Sequence, residues 1–192
     1  MRTLLLASSS SRRAELLRML GLEFQVRVPD VDETRSQGEE PAAYVERLAR
    51  SKVAAVAEAG AVAVGADTVI VHEGRVLGKP AHPAEARSVL RHLAGTSHQV
   101  LTAVAVGSGD GSGWTVDAVV EAAAVRFLPL TDAEIDAYVA TGEPLDKAGS
   151  YALQGRGAVL VEAIEGHPTT VGGLPLPATR RLLARHGVMV LA

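Results

Sequence analysis

Leu4-Leu5-Leu6-Ala7-Ser8-Ser9-Ser10-Ser11-Arg12-Arg13 is the stretch on which the reading of the chain turns. Leu4 to Ala7 is an apolar run suited to a buried strand. From Arg12 to Leu20 the period changes: Leu16, Leu17 and Leu20 fall on one helical face, and Gly21 stops the helix as a C-terminal cap. Between strand and helix lie four serines, each able to cap the helix by accepting a bond from an orphan backbone N–H. Arg12 and Arg13 then occupy the first helical turn, at the positive end of the macrodipole, where cations are disfavoured. Backbone N–H groups, hydroxyls such as those of Ser8 and Ser10, and two guanidinium forks together make an anion site, most naturally for phosphates. Taken alone, the stretch reads equally well as a surface cap with solvated arginines.

Outward from there, Glu23 to Pro29 reads as a second strand and Asp30 to Glu40 as an acidic loop. Pro41 opens a long helix ending near Gly60, with Val45, Leu48, Ala49, Val53 and Val56 on its apolar stripe. Lys52 falls on the edge of that stripe. Either its head snorkels into water, or it is desolvated and needs a standing negative partner. Ala61 to Val71 is a strongly apolar run interrupted by Asp67 and Thr68. Glu73-Gly74 is a hairpin turn, with Arg75 to Leu77 as the returning strand.

Pro83 to Leu93 is an amphipathic helix ended by Gly95. His98 to Val106 and Trp114 to Phe127 are strands joined by the glycine-rich segment Gly107 to Gly113, a flexible hairpin tip without the spacing of a dinucleotide fingerprint. Thr131 and Glu134 form a capping box for a helix to about Ala140. Gly142 to Gly157 is a long loop, Val159 to Ile164 a strand, Pro177 to His186 a last helix and Val188 to Leu191 a last strand. Helices, strands and hairpins in this irregular alternation predict an α/β fold with a mixed sheet, in one domain over residues 1–192.

Composition narrows the function. Of 192 residues, 47% are hydrophobic, so the chain is globular. Aromatics are only 3%, too few for the stacking platforms of single-strand nucleic-acid binding, and a net charge of −3 argues against a broad basic surface for duplex. Any phosphate site is therefore local. There is no cysteine, which removes disulfides, Cys-ligated zinc and thiol nucleophiles. No apolar stretch is long enough for a membrane span, which predicts a soluble, cytoplasmic protein.

Asp67 is the sharpest candidate for chemistry, because a carboxylate inside a buried strand is costly unless it is paired, metal-bound or hydrogen-bonded. Asp32-Glu33 adds two loop carboxylates that in isolation read as solvated surface, and Lys79, in Gly78-Lys79-Pro80 after the hairpin, reads in isolation as an ordinary loop lysine. Gln154, in Gln154-Gly155, reads equally as a turn residue or, with both a donor and an acceptor on its amide, as a reader of the edge of a base. The histidines are scattered without ligand spacing, and neither a P-loop nor a nucleophile elbow is present. Cations for a polyphosphate, carboxylates for a hard divalent metal and a buried acid together outline phosphoanhydride hydrolysis.

On these residues the chain resembles the Maf-type nucleoside triphosphate pyrophosphatases, the septum-formation inhibitor family. The matching segments are Ala7 to Arg13, Ala49-Arg50-Ser51-Lys52-Val53-Ala54, Gly65-Ala66-Asp67-Thr68-Val69, Gly78-Lys79-Pro80, Asp146 to Gly155 and Gly173-Leu174-Pro175-Leu176. They occur in family order across nearly the whole chain. Ser11 stands where the family usually has proline, and Gly172-Gly173 replaces a more usual Val-Gly.

The resemblance implies an elongated mixed sheet flanked by helices, in two lobes with a central cleft, related to inosine triphosphate pyrophosphatases. It implies hydrolysis of a nucleoside triphosphate to monophosphate and pyrophosphate, with a divalent cation (Mg²⁺ or Mn²⁺), and a homodimer. Asp67 matches the family's catalytic base. Lys52, Lys79 and Glu33 match other active-site positions, with Glu33 or Asp67 as metal ligand. Arg12, Thr68 and Gln154 match positions of base selectivity. Gln154-Gly155 points to the branch acting on dTTP and UTP, in nucleotide-pool house-cleaning and cell-division arrest. The alternative is a non-catalytic nucleotide-binding regulator of septum formation. Neither reading calls for nucleic acid or membrane as partner.

Overall fold

The computed structural model describes residues 2–109 and 113–191, so Asp110, Gly111 and Ser112 of the expected hairpin tip lie outside the described residues. In chain order the elements begin with β1 (Thr3–Ala7), α1 (Ser11–Arg18), β2 (Gln25–Arg27), α2 (Pro41–Ala55), β3 (Ala61–His72), β4 (Arg75–Leu77) and α3 (Pro83–Leu93). They continue with β5 (Ser97–Gly109), β6 (Trp114–Phe127), α4 (Asp132–Ala140), β7 (Val161–Glu165), α5 (Pro168–Val171) and α6 (Leu176–Arg185). The strands form one sheet in the order β2-β1-β3-β5-β6-β7, with β4 paired to β3 off that path. The sheet is mixed, as the irregular alternation predicts: β1 runs parallel to β2 and β3, while β3–β4 and β6–β7 are antiparallel.

The chain forms two compact units, one of Met1–Asp67, Thr102–Glu121 and Gly173–Ala192, the other of Thr68–Leu101 and Ala122–Gly172. In the first, Leu4 to Ala7 of β1 are all buried, as a strand with a partner on each side requires. Its core joins Leu4 and Leu6 of β1 to Leu16 and Leu17 of α1, Val62 and Val64 of β3, and Leu182 and Leu183 of α6. Helix α1 starts at Ser11 and ends at Arg18, shifted from the expected Arg12 to Leu20. Ser10 is the cap that sets the start, and the turn after Arg18 closes at Gly21 with φ of 72°.

Helix α2 ends at Ala55, short of Gly60, where Val56 leaves helical geometry at φ −113°. Strand β2 spans only Gln25–Arg27 of the expected Glu23 to Pro29, and all three residues are exposed. The expected last strand, Val188 to Leu191, is not one. Val188 N–H donates to Leu183 O at 2.9 Å, Val190 is buried in the core, and Leu191 takes φ of 65°, a left-handed conformation that no strand residue adopts.

In the second unit, Ile70, Leu90, Leu93, Phe127, Ile135 and Leu160 build a separate core. The Glu73-Gly74 hairpin is as expected, with φ of 48° and 75° at its two central residues. The Thr131–Glu134 capping box is also formed. The expected loop Gly142 to Gly157 is instead wound into 3₁₀ turns at Glu143–Asp146, Ala148–Ser150 and Arg156–Leu160. The last of these takes Val159 and Leu160, so β7 starts only at Val161. Among the described residues no helix is long and apolar enough to cross a membrane.

Candidate active site

The site in the first unit begins with a glycine. A Cβ on Gly65 would lie 2.8 Å from the Ala49 carbonyl oxygen and 3.0 Å from Val53 Cγ2. Only glycine lets the backbone of α2 settle this closely on β3. That approach brings Lys52 of α2 against Asp67 of β3: Lys52 Nζ donates to Asp67 Oδ1 at 2.6 Å and pairs with Glu33 Oε1 at 2.7 Å. The Lys52 side chain is 7% exposed, which decides between the two readings of its position. It does not snorkel; it is desolvated, and its standing partners are Asp67 and Glu33.

Asp67 lies just beyond the last β1–β3 pair, Ala7↔Gly65. It therefore sits at the carboxyl end of the parallel pair, where ligand sites of such sheets collect and where β1 runs into the serine turn. In that turn Ser8 is buried, and its Oγ accepts from Ser10 N–H at 3.1 Å and from Arg13 Nη1 at 3.4 Å. Ser10 Oγ caps α1 by accepting from Arg13 N–H at 3.5 Å, and Arg13 Nε donates to Gly173 O at 2.9 Å.

Arg12 and Arg13 are half-buried rather than solvated. Burial lowers the Arg13 pKa; Asp67 opposes that, Arg12 reinforces it and Glu33 opposes it. Arginine stays protonated regardless. Ser8, Ser10, Arg12, Arg13, Glu33, Lys52 and Asp67 thus form one electrostatic neighbourhood.

Glu33 itself is more than half exposed and sits on a loop that needs fixing. Arg47 of α2 grips Glu39 with two bonds, Nε to Oε1 at 2.7 Å and Nη2 to Oε2 at 2.9 Å, and also donates to Thr34 O at 3.0 Å. The Arg47 hydrogen bond is the main cause that holds Glu39 down to about 2. Tyr44, also on α2, donates its hydroxyl to Glu33 O at 2.7 Å. Burial, then the negative charges of Asp67 and Glu33, raise the Tyr44 pKa. Sequence reasoning missed Tyr44, Glu39 and Arg47. The available signal was spacing: Tyr44, Leu48 and Lys52 recur every four residues and so share one helix face.

Thr68, Lys79 and Gln154 belong to the second unit. Thr68 follows Asp67 in β3 and is half-buried, Lys79 is exposed between β4 and α3, and Gln154 is exposed in a turn before Gly155.

Among the described residues no group of three or more His, Cys, Asp or Glu side chains could hold a metal. Glu33 and Asp67 nevertheless meet on one ammonium. A hard divalent cation that takes one or two carboxylates and completes its shell with phosphate oxygens and water suits such a pair. Two carboxylates are an oxygen donor set of the hard kind.

The description "Maf-like protein" belongs to the family model that matches residues 3–186. The chain belongs to the Maf family. The "dTTP/UTP pyrophosphatase" of Symbiobacterium thermophilum is 50% identical over 97% of this chain and 95% of its own length. Proteins of the same name from Anaeromyxobacter dehalogenans and Pelotomaculum thermopropionicum are 52% and 48% identical, over 96% and 100% of this Maf chain and 94% and 100% of their own. Among solved structures, the "HAM1 protein from Coxiella burnetii" aligns with a TM-score of 0.41 at 21% identity, over 65% of this chain and 73% of that one.

Proposed function

We propose that this Maf-family protein hydrolyses dTTP and UTP to the nucleoside monophosphate and pyrophosphate. The observation that carries the reading is the buried Lys52 ammonium between Asp67 and Glu33, with Arg13 under the influence of the same two carboxylates. The names of the half-identical relatives supply the substrate class.

In this reading Asp67, oriented through Oδ1 by Lys52, takes a proton from a water as that water's oxygen bonds to the α-phosphorus. The bond from the α-phosphorus to the oxygen bridging it to the β-phosphorus breaks, and pyrophosphate leaves with the electron pair. Arg12, Arg13 and Lys79 bind triphosphate oxygens. Ser8, Ser10 and the start of α1 add donors at the same turn. Partly desolvated guanidinium groups stabilise developing phosphate charge far better than groups in bulk water do. Glu33 and Asp67 hold the divalent cation, which when bound polarises the reacting phosphoryl group.

Thr68, Gln154 and Arg12 choose the base, because a wrong base leaves a donor or acceptor unpaired at a cost of about 1–3 kcal/mol. We assign the enzyme to the cytoplasm as a homodimer, acting in nucleotide-pool house-cleaning and cell-division arrest, on the strength of the family resemblance.

The test is a nucleotide panel with Mg²⁺ in which pyrophosphate and orthophosphate are separated and counted. Equal amounts of pyrophosphate and monophosphate from dTTP and UTP are expected. Orthophosphate instead would make the protein a phosphatase, and bound nucleotide without product would make it a nucleotide-binding regulator of septum formation.

A further inference from the structure

Glu143 heads the 3₁₀ turn Glu143–Asp146 in the second unit, eleven positions before Gln154, and no sequence pattern singles it out. Its half-buried carboxylate is fully engaged. Oε1 accepts from the Tyr138 hydroxyl at 2.8 Å and from Gly157 N–H at 3.0 Å, and Oε2 accepts from Arg156 N–H at 2.9 Å. The carboxylate thus takes two consecutive backbone amides of the segment that follows Gln154-Gly155.

Two glycines make this possible. A Cβ on Gly155 would stand 2.5 Å from each Glu143 carboxylate oxygen, and one on Gly157 would stand 2.5 Å from the Tyr138 hydroxyl. Burial alone would push the Glu143 pKa up. The Gly157 and Arg156 amides, the Tyr138 hydroxyl and the Lys147 charge outweigh it, and the pKa lies below the ordinary value.

Gln154 is exposed, and its side chain makes no hydrogen bond to the described residues. An amide of that kind reads a base only if its backbone is held, since a turn rich in glycine otherwise spreads the amide over many positions. Charge-assisted bonds from a carboxylate to backbone N–H groups are the strong kind that can hold it.

We infer that Glu143 is the positioning residue of the base-reading turn: it clamps the backbone of Arg156 and Gly157 so that Gln154 meets the pyrimidine edge. The inference rests on the proposed dTTP/UTP activity and deepens it. Glu143 does not touch the substrate; it acts through Gln154. A merely structural Glu143 would alter turnover of every nucleotide alike, whereas a positioning Glu143 alters discrimination.

The experiment is steady-state pyrophosphate release from UTP and from GTP by the wild-type protein, Gln154→Ala, Glu143→Ala, Glu143→Gln and Tyr138→Phe, with thermal unfolding of each. For Gln154→Ala the ratio of kcat/KM for UTP to that for GTP should fall about tenfold or more, the range of one unpaired hydrogen-bonding group. Glu143→Ala, with Gln154 intact, should lower the same ratio at least about fivefold, through a raised KM for UTP with kcat/KM for GTP within about twofold. Glu143→Gln keeps an acceptor oxygen and should restore part of the ratio. Tyr138→Phe should shift it less, in the same direction.

If Gln154→Ala lowers the ratio while Glu143→Ala leaves it unchanged, the inference is overturned and the proposed function stands. Equal losses on UTP and GTP also overturn it. A wild-type protein that releases no pyrophosphate from UTP, or shows no preference for it, overturns the functional reading itself. Should Glu143→Ala fail to fold, Glu143→Gln and Tyr138→Phe decide: an unchanged ratio in both rejects the inference.

Discussion

Replacing Lys52 with methionine removes one charge while leaving the volume of the side chain nearly the same. The Lys52 and Asp67 side chains are 7% and 11% exposed, and the ammonium lies 2.6 Å from Asp67 and 2.7 Å from Glu33. The variant leaves the Asp67 carboxylate packed at the α2–β3 contact, with a second carboxylate beside it and its ammonium gone. Removing one partner of a buried ion pair costs about 3–5 kcal/mol, because the other charge stays buried. Two features lower the expectation: Glu33 is more than half exposed and can turn into water, and Arg13 still feels Asp67. A loss of about 3 kcal/mol follows. Urea unfolding at neutral pH measures it, read from the midpoint at constant slope. The double variant Lys52→Met/Asp67→Asn removes the orphaned charge and should recover most of that loss. A loss below about 1 kcal/mol in the single variant, within the range of an exposed pair, would mean that Asp67 is not left as a buried, unpartnered charge. So would an equal loss in both variants.

Gly65→Ala drives a methyl group into the α2 backbone at 2.8 Å from the Ala49 carbonyl oxygen, which predicts a loss of about 1–3 kcal/mol by thermal unfolding. The same variant should lower kcat/KM for dTTP about tenfold or more, since Lys52 moves with the helix. Arg47→Ala frees the loop that carries Glu33. The side chains of Arg47 and Glu39 are 39% and 13% exposed and bonded through two contacts, so stability should fall by about 1 kcal/mol, while dTTP turnover falls severalfold in the same pyrophosphate assay. His98, buried against Tyr151 and Phe127, has its pKa lowered from 6.5 to about 4 by burial first and His72 second. The unfolded chain therefore binds more protons between those values, and stability is complete above the unfolded pKa and falls as pH drops towards the folded one. The fall is on the order of 3 kcal/mol, and His98→Gln should flatten that part of the stability–pH curve.

The parts of this fold that could be read from sequence are those whose signals are local. Leu4 to Ala7, the serine cap of α1, the Glu73-Gly74 hairpin and the Thr131–Glu134 box each declare themselves within a few residues. Asp67 and Lys52 were legible singly, as charges placed where burial makes them costly. Their pairing was not, because it depends on how closely α2 approaches β3, a distance set by the missing side chain of Gly65. Glu143 was invisible for a similar reason: its partners Arg156 and Gly157 come more than a dozen residues later. Val188 to Leu191 misled because an apolar run makes a strand only with a partner to pair against, and here the chain turns back onto α6. Helix α5, four residues long, is too short to show a period.

The decisive quantity is the pyrophosphate that Asp67→Asn releases from dTTP, counted beside the wild-type protein. Loss of a general base predicts a fall of at least about a hundredfold in rate. Circular dichroism should be unaltered and the protein should remain folded at the assay temperature. Release near the wild-type rate would contradict the assignment of Asp67 to the chemistry.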